Sequence, residues 1–552
     1  MKGEIKESAY QVLGEERRKA RRPWITKEVL EKMDERRRWK SANTLDAKEK
    51  YRTIDKQVKS MARKAKEDWL DRICHELEEH EVSQDLRKVY QNINLISGKK
   101  RRVKIGAIKD ENGEILMQKE RQLVRWNEYL TKLYKTEDNM ECKLEEEYDD
   151  DETPKFLEDE VEAALKKLKN KKAPGIDGLH GELLKSMGFE GRRIISHVLN
   201  KILAEQQLPT DFTNLIFIPI PKIAGTLECD KHRIISLISH MSKVLTNTIY
   251  RRIEPKIEAE LNDTQFGFRK NKGTREAITL IRLIGEKMIE KNRDLYLCFV
   301  DYEKAEWMMR EALEDFNEGV KINGCLINNI RYADDIVLLS ESKEGLQKIL
   351  NRLFKTGLEK FHMKINEKKT KVMKVSKKED MEEFQIILGN KELERVKKFE
   401  YLGSWITSDN RCKMEIKSRI NKAKAAFYQI YHILTNRGLN IKLKIKILRT
   451  MIWSVLTYGC EAWTLTHEMM ERINSFEMWC LRKMQRISWT EKITNEEVLD
   501  RLGLRRKLLI NIQKRKVRYA GHLARGSGGQ LLKTVIEGLV EGTRPRGRPR
   551  KT

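Results

Sequence analysis

Two adjacent carboxylates between short apolar runs are the residues of this sequence best suited to chemistry. They lie in the segment Arg331-Tyr332-Ala333-Asp334-Asp335-Ile336-Val337-Leu338-Leu339. Bounded apolar runs favour buried strands, and a short polar break between two of them favours a tight turn, so we predict a β-hairpin with Asp334 and Asp335 at its tip. Like charges side by side in a buried hairpin repel each other and lose solvation. A divalent cation compensates both costs, and hard oxygen ligands suit Mg²⁺.

A third carboxylate follows a second apolar run. The run from Leu295 to Val300 is apolar on both faces, as expected of a central strand, and it ends at Asp301. Two strands that each bring a carboxylate to one edge of a sheet can hold two Mg²⁺ ions about 4 Å apart, the arrangement that polymerases and nucleases use for phosphoryl transfer. The alternative is a surface turn with two solvated aspartates. The flanking strands and Asp301 favour the metal site.

The charge balance indicates a polyanionic partner. The 552 residues include 112 Lys and Arg against 85 Asp and Glu, a net charge of +27, with 39% hydrophobic residues to form a core. Lys and Arg neutralise phosphates, so we predict nucleic acid, with a membrane surface as the alternative. The sequence has no apolar run of about 18 residues and no apolar signal core near its start, so neither a membrane span nor a secretory signal is expected. The eight cysteines lack zinc spacing and are interpreted as reduced thiols.

The two acidic segments resemble motifs of a known family. Tyr332-Ala333-Asp334-Asp335 resembles the catalytic motif of reverse transcriptases, and Phe299-Val300-Asp301-Tyr302-Glu303-Lys304-Ala305 resembles the preceding motif of non-LTR (LINE-type) retrotransposons. The resemblance runs from about residue 20 to the end, with the motifs in family order. It implies RNA-directed DNA synthesis by two-metal nucleotidyl transfer, with a catalytic and metal-binding set of Asp301, Asp334 and Asp335. It also implies an α+β fold, the right-hand polymerase of fingers, palm and thumb with an incomplete palm, flanked by mostly α-helical N- and C-terminal regions.

Several basic residues acquire binding roles through the same resemblance. An incoming nucleotide carries a triphosphate, and a Lys and an Arg on one hairpin suit its charge. The resemblance assigns this role to Lys222 and Arg233. Lys369 belongs to a later motif that places a lysine near the phosphates. Arg269, in Gln265-Phe266-Gly267-Phe268-Arg269, would meet a template phosphate, and Gly267 indicates close backbone approach.

The spacing of the acidic motifs departs from the family. Asp301 and Asp334 are 33 positions apart, whereas the family has a far longer segment that shapes the nucleotide pocket. Glu306 stands where the family has an aromatic residue under the sugar, and a carboxylate there would repel the triphosphate. We interpret the junction after Ala305 as an internal deletion. Because misplacement by about 1 Å can cost 10²-fold in rate, we expect weak or absent polymerase activity. The rival hypothesis is a non-catalytic nucleic-acid-binding remnant of such an enzyme.

Composition shifts and motifs divide the chain into five predicted regions. These are a basic helical connector at 1–100, a short hairpin and acidic linker at 101–155, fingers at 156–292, a palm at 293–410, and a helical thumb and C-terminal region with a basic tail at 411–552. No endonuclease precedes the connector, so that domain is expected to be absent.

The tail and the overall charge complete the expected partners. Arg546-Gly547-Arg548 between prolines resembles an AT-hook, which would place Arg546 and Arg548 in a narrow minor groove. A disordered basic tail with only phosphate affinity is the alternative. The expected partners are an RNA template and a DNA primer or target, with no membrane and no small-molecule cofactor beyond the deoxynucleotide and the metal. Location in the nucleus, the cytoplasm or both is expected.

Overall fold

The structure, a computed structural model, describes most of the chain in two compact units. The described residues are 24–40, 45–82, 107–134, 154–223, 225–301, 312–313, 316–361, 365–377, 384–436, 441–526 and 528–540. The described residues within 107–260 form one unit, and those within 24–82 and 261–540 form the other. Among the helices of these residues, none has the length and apolar character needed to cross a bilayer.

Two antiparallel helices begin the described chain, α1 (Lys27–Lys40) and α2 (Leu45–Val82). An ion pair between Arg36 and Asp55, with 2.7 Å between nitrogen and oxygen, joins them. The ring of Trp24 packs on that of Trp69 at 5.4 Å between centroids. The helices predicted for this connector are therefore present, and most of the charged side chains that the structure describes in them are exposed.

The unit within 107–260 combines helices with two small hairpins. Its helices are α3 (Lys119–Tyr134), α4 (Glu158–Lys167), α5 (Gly181–Ser186), α6 (Phe189–Glu205), α7 (Thr210–Thr213) and α8 (His240–Glu260). Its strands are β1 (Ile108–Lys109), β2 (Ile115–Leu116), β3 (Ile216–Pro221) and β4 (His232–Leu237), which pair as β1–β2 and β3–β4. The predicted hairpin around residues 111–113 is confirmed in its described part, and the acidic run at 145–152 lies outside the described residues.

Two details of this unit differ from expectation. The sequence predicts a strand from Leu215 to Ile218 that ends at Pro219. The strand β3 instead continues to Pro221, because a two-stranded ribbon has outer edges where a proline removes no ladder hydrogen bond. The apolar spacing predicts that Leu245, Ile249 and Ile253 share one face of α8, but Leu245 is buried whereas Ile249 and Ile253 are exposed. Steps of four residues advance 40° around a helix, so these two side chains rotate away from the stripe that Val244 and Leu245 form against α4 and α6.

The second unit is built on mixed strands and helices. After α1 and α2 its strands are β5 (Leu295–Asp301), β6 (Val320–Ile322), β7 (Cys325–Ile327), β8 (Asn329–Tyr332), β9 (Asp335–Ser340), β10 (Lys371–Val375), β11 (Ile387–Leu388), β12 (Lys391–Glu392), β13 (Glu394–Arg395), β14 (Lys398–Tyr401) and β15 (Ser404–Thr407). Its later helices are α9 (Thr274–Glu290), α10 (Lys343–Phe361), α11 (Lys413–Gln429), α12 (Tyr431–Leu434), α13 (Ile441–Ile447), α14 (Ser454–Leu456), α15 (His467–Gln485), α16 (Asn495–Leu502), α17 (Leu508–Ala524) and α18 (Gln530–Glu537). A π-helical turn, Leu448–Trp453, joins α13 to α14.

A five-stranded sheet organises this unit, in the order β13-β10-β5-β9-β8. The central strand β5 pairs antiparallel with both β9 and β10. Alternate residues of β5 enter two different apolar cores: Leu297 and Phe299 lie in one core with residues of α9, and Cys298 and Val300 lie in the other with residues of α10. Both faces of β5 are apolar because helices pack on both faces of the sheet, as predicted for a central strand.

The apolar spacing of α10 predicts an inward stripe of Leu346, Ile349, Leu353 and Leu358. The first three are buried as expected, but Leu358 is 42% exposed. Position 358 is 120° around the helix from Leu346, and the inward place is taken by Gly357. In the last turn of α10 the buried stripe is therefore continued by Gly357 and not by Leu358.

The C-terminal helices form a third core and then return to the sheet. Helices α11 to α17 contribute most of a core that includes the buried Phe427 and Trp463. Beyond it, Tyr519, Leu532 and Val535 belong to the same core as β5 and α9. The final described residues continue this contact, since the amide of Asn323 donates to the carbonyl of Leu539 at 3.1 Å.

Candidate active site

The predicted hairpin of the paired aspartates is confirmed. Strands β8 and β9 pair antiparallel with Tyr332 opposite Asp335, which leaves a two-residue loop of Ala333 and Asp334. Ala333 takes the left-handed conformation, with φ of 56°, as a tight hairpin loop requires. Both aspartates are exposed, whereas the residues of β9 that follow are buried. The hairpin therefore presents two carboxylates at the end of a strand whose remainder is core.

The sheet register brings the third acidic position to the same edge. In the pairing of β5 with β9, the backbone of Asp301 lies directly opposite that of Asp335. The Asp301 side chain lies outside the described part of the structure. Among the side chains that are described, no group of three His, Cys, Asp or Glu is arranged to hold a metal ion. The backbone thus places the three predicted positions together, and their role as metal ligands stays a prediction.

A glycine packs against the hairpin tip. The amide of Phe266 donates to the Arg331 carbonyl at 2.8 Å, which adds this segment beside β8. A Cβ built on Gly267 would lie 2.4 Å from the backbone nitrogen of Ala333, closer than any real side chain approaches. The close approach predicted at Gly267 is confirmed, and it fixes the loop that carries Asp334.

The hairpin β14–β15 covers the face of the sheet next to Asp335. Phe399 stacks on Phe299 at 4.1 Å between centroids, and the Tyr401 ring lies 6.1 Å from that of Phe299. Tyr401 is 2% exposed, and its hydroxyl has no hydrogen-bond partner among the described residues. Burial, together with the charge of Asp335, raises the pKa of Tyr401 well above its ordinary range. Asp335 and Val337 are two residues apart on β9, so their side chains point to the same face of the sheet. Val337 belongs to the same core as Tyr401, so Tyr401 lies beneath the acidic edge.

Two buried arginines hold this covering hairpin in place. Arg419 of α11 pairs with Glu415 at 2.7 Å and donates to the Gly403 carbonyl at the hairpin turn. Arg282 of α9 donates to the Trp405 carbonyl at 2.7 Å, and the Tyr458 hydroxyl donates to that of Leu402 at 2.9 Å. Sequence reasoning missed these residues. An arginine that binds a distant carbonyl has the same local signature as a surface cation, so nothing in the sequence alone distinguishes them.

The two cations predicted to bind a triphosphate lie on one hairpin of the unit within 107–260. Arg233 of β4 pairs with Ile220 of β3, and Lys222 follows the end of β3. Both side chains are exposed, and the Lys222 ammonium donates to the Asp230 carbonyl at 3.0 Å. The predicted hairpin is confirmed, and the triphosphate role stays a prediction.

The remaining predicted contacts have different surroundings. The Arg269 side chain is 8% exposed, donates to the Asn262 carbonyl at 2.9 Å and lies 3.9 Å from Asp263, so it stabilises its own loop. Lys369 is exposed in the turn before β10, two residues ahead of Lys371, whose backbone partner is Phe299. The register therefore directs Lys369 to the edge where β5 ends. Glu306, Arg546 and Arg548 lie outside the described residues.

Comparison with known proteins identifies relatives of this chain. Residues 305–406 match the sequence model of the reverse transcriptase (RNA-dependent DNA polymerase) domain. A transposon-derived protein of Caenorhabditis elegans is 30% identical over 228 residues, 40% of this chain and 79% of that protein. The RNA-directed DNA polymerase from mobile element jockey of Drosophila funebris is 29% identical over 150 residues, 27% of this chain and 16% of the relative.

A further relative shows the same limited span. The Pol polyprotein from the type-1 retrotransposable element R1 of Bradysia coprophila is 25% identical over 127 residues, 22% of this chain and 13% of its own length. The chain thus spans most of the nematode relative but less than a fifth of these two retrotransposon proteins.

Proposed function

This chain belongs to the reverse transcriptase family of non-LTR retrotransposons, and on that premise we propose that its site is that of an RNA-directed DNA polymerase, impaired by a shortened catalytic segment. The proposed reaction is two-metal nucleotidyl transfer from a deoxynucleotide to a primer paired with an RNA template. The unit within 107–260 would correspond to fingers, the five-stranded sheet to the palm, and α11 with the following helices to the thumb.

The observation that supports the proposal is the convergence of three acidic positions at one sheet edge. Asp301 and Asp335 are backbone partners, and Asp334 occupies the adjoining loop. The carboxylates of Asp334 and Asp335 are exposed at the end of buried strands, and anionic oxygens are the donors that Mg²⁺ prefers. These residues therefore fit the ion that the family implies. Bound there, Mg²⁺ would activate the attacking oxygen and neutralise charge at the leaving oxygen.

The chain's own residues would position the other reactants. We assign the triphosphate to Lys222 and Arg233, since two exposed cations on one hairpin supply charge and directional donors. Lys369, directed to the end of β5 by the register of β10, would add a cation near the phosphates. Tyr401 and its hairpin would support Asp335 from within the core.

The impairment is inferred from the short connection between the two acidic strands. Asp301 and Asp334 are 33 positions apart, and the match to the family domain begins at residue 305. Loss of the segment that shapes the nucleotide pocket would leave the carboxylates without a wall to orient the base. A shift of about 1 Å in the reactants is enough to cost 10²-fold.

A second candidate function is supported by the same short connection and by the net charge of +27. A chain that keeps the fold and the cations but lacks the pocket would bind RNA and DNA without extending a primer. Nuclear or cytoplasmic location remains part of the proposal, inferred from the basic clusters and the expected DNA target.

Primer extension on an RNA template with Mg²⁺ tests the proposal. We expect extension at least about 10²-fold slower than by a retroelement polymerase with an uninterrupted segment, abolished in Asp334→Ala and kept in Asp500→Ala, an exposed control far along the sequence. Extension that survives Asp334→Ala would refute the assigned carboxylates. No extension, with RNA binding retained, favours the second candidate.

A metal titration gives a readout that needs no activity. We expect Mn²⁺, followed by electron paramagnetic resonance, to bind the full chain at a site that Asp334→Ala and Asp335→Ala weaken and Asp500→Ala does not. Equal binding by all four proteins would remove the support for a metal site at this edge.

A further inference from the structure

The segment from Arg505 to Arg525, which contains α17, is cationic throughout. It holds eight Lys or Arg residues and no Asp or Glu. This composition is unusual in a chain where acidic residues are frequent. The segment is separate from the acidic edge of the sheet. The question is which of these cations the fold itself uses.

One side of α17 is committed to the interior. Leu508, Ile512 and Leu523 are buried. Two cations flank this side and have internal partners: Arg515 donates to Glu461 at 2.6 Å, and Lys516 donates to the Trp463 carbonyl. The apolar face of the helix is therefore buried, and the two cations next to it are bound to groups within the protein.

The opposite side is a continuous cationic face, formed by Lys514, Val517, Arg518, Gly521 and Arg525. These positions follow the spacing i, i+3, i+4, i+7 and i+11, which places them along one side of the helix axis. The three cations are exposed, and none forms an ion pair with another described residue. A guanidinium nitrogen of Arg525 lies 3.3 Å from the position that a Cβ on Gly521 would occupy, so the side chain of Arg525 passes over this glycine. The face spans about 16 Å along the axis.

We propose that this α17 cationic face binds the phosphate backbone of a nucleic-acid duplex. Three exposed cations with no ion-pair partner among the described residues favour a polyanion, and about 16 Å of helix runs past several phosphates of one strand. The proposal rests on the proposed function only in taking nucleic acid as the partner, and it does not depend on catalysis.

The composition of the face distinguishes a duplex from other polyanions. Proteins that hold single strands add aromatic side chains on which bases stack, and this face has none because Tyr519 is buried. A helix that lies on a membrane inserts its apolar side. Here most of that side is buried in the core, and the large apolar side chains exposed on α17 are Ile510 and Val517, which are too few to form an inserting face.

The test compares two triple variants of the full chain by fluorescence anisotropy with a labelled 20-base-pair DNA duplex, an RNA–DNA hybrid and a single strand. The test variant is Lys514→Gln/Arg518→Gln/Arg525→Gln. The control is Lys343→Gln/Lys348→Gln/Lys355→Gln, which removes three exposed lysines from α10 and changes net charge equally. Circular dichroism checks that both variants fold.

We expect the test variant to bind both duplexes on the order of tenfold or more weakly near 0.1 M salt, and the slope of log K against log salt to fall by about 2 to 3. The control should change neither quantity appreciably. Equal losses in both variants would show a general charge effect and overturn the proposal, as would no loss in either. A loss of binding confined to the single strand would also overturn it. So would a loss seen only in a parallel assay with vesicles of anionic lipid. Because binding is measured without Mg²⁺ or nucleotides, a failed polymerase assay leaves this result intact.

Discussion

Replacing Gly267 by alanine tests how tightly the aspartate hairpin is fixed. The new Cβ would lie 2.4 Å from the nitrogen of Ala333, whereas ordinary contact begins at 3.4 Å, so one of the two backbones must shift by about 1 Å. The conflict is with backbone on both sides and cannot be relieved by a rotamer change. Overpacking of this kind costs about 1 to 3 kcal/mol. The same shift moves Asp334, which follows Ala333 in the loop.

Hydrogen–deuterium exchange with mass spectrometry measures this effect where it arises. The amides of Phe266 and Arg331 form the hydrogen bonds that join the two segments. A local loss of about 1 to 3 kcal/mol speeds exchange there by about 5- to 150-fold if it occurs through local opening. Gly188→Ala is the matched control, because a Cβ at Gly188 meets nothing within 4 Å and its φ of −69° suits any residue. Exchange that is unchanged in Gly267→Ala would refute the reasoning.

Three further substitutions probe buried groups. Tyr401→Phe removes an unpartnered buried hydroxyl, so unfolding by urea should show equal or higher stability, by about 1 kcal/mol; a clear loss would reveal a partner for the hydroxyl. Burial lowers the pKa of His240 from 6.5, so as the pH drops the unfolded chain binds the proton before the folded chain does, and stability should fall below pH 6.5. A His240→Leu variant should therefore show a flatter dependence of the thermal midpoint on pH. An unchanged slope would contradict this. Arg419→Met leaves the buried Glu415 unpaired, and we expect a loss of about 3 to 5 kcal/mol in urea unfolding, with Lys417→Met on the same helix as the neutral control.

The sequence was most informative where a pattern has one physical solution. The apolar run before Asp301 and the Tyr332 to Leu339 segment predicted β5 and the hairpin correctly, because buried strands need unbroken apolar residues and a two-residue loop needs a polar break. Gly267 was read correctly for the same reason, since close backbone approach leaves no room for a side chain.

The errors came from features that depend on neighbours far along the chain. Helical periodicity located α8 and α10 but not how far each buried stripe extends: Leu358 was predicted to point inward and is exposed, and Ile249 does not share the burial of Leu245. Arg282 and Arg419 bind carbonyls of β14–β15, and Tyr401 lies under Asp335, only because separate elements pack together. No local pattern encodes such contacts.

The return of the last helices to the sheet has a consequence for synthesis on the ribosome. Leu532 and Val535 complete the core that contains Leu297 and Phe299, although about 230 residues separate them. A nascent chain must therefore carry this core incompletely covered until α18 has emerged, although α9 already contributes to it. Contacts of such long sequence separation form slowly, and the waiting intermediate exposes a surface that chaperones recognise and that aggregates.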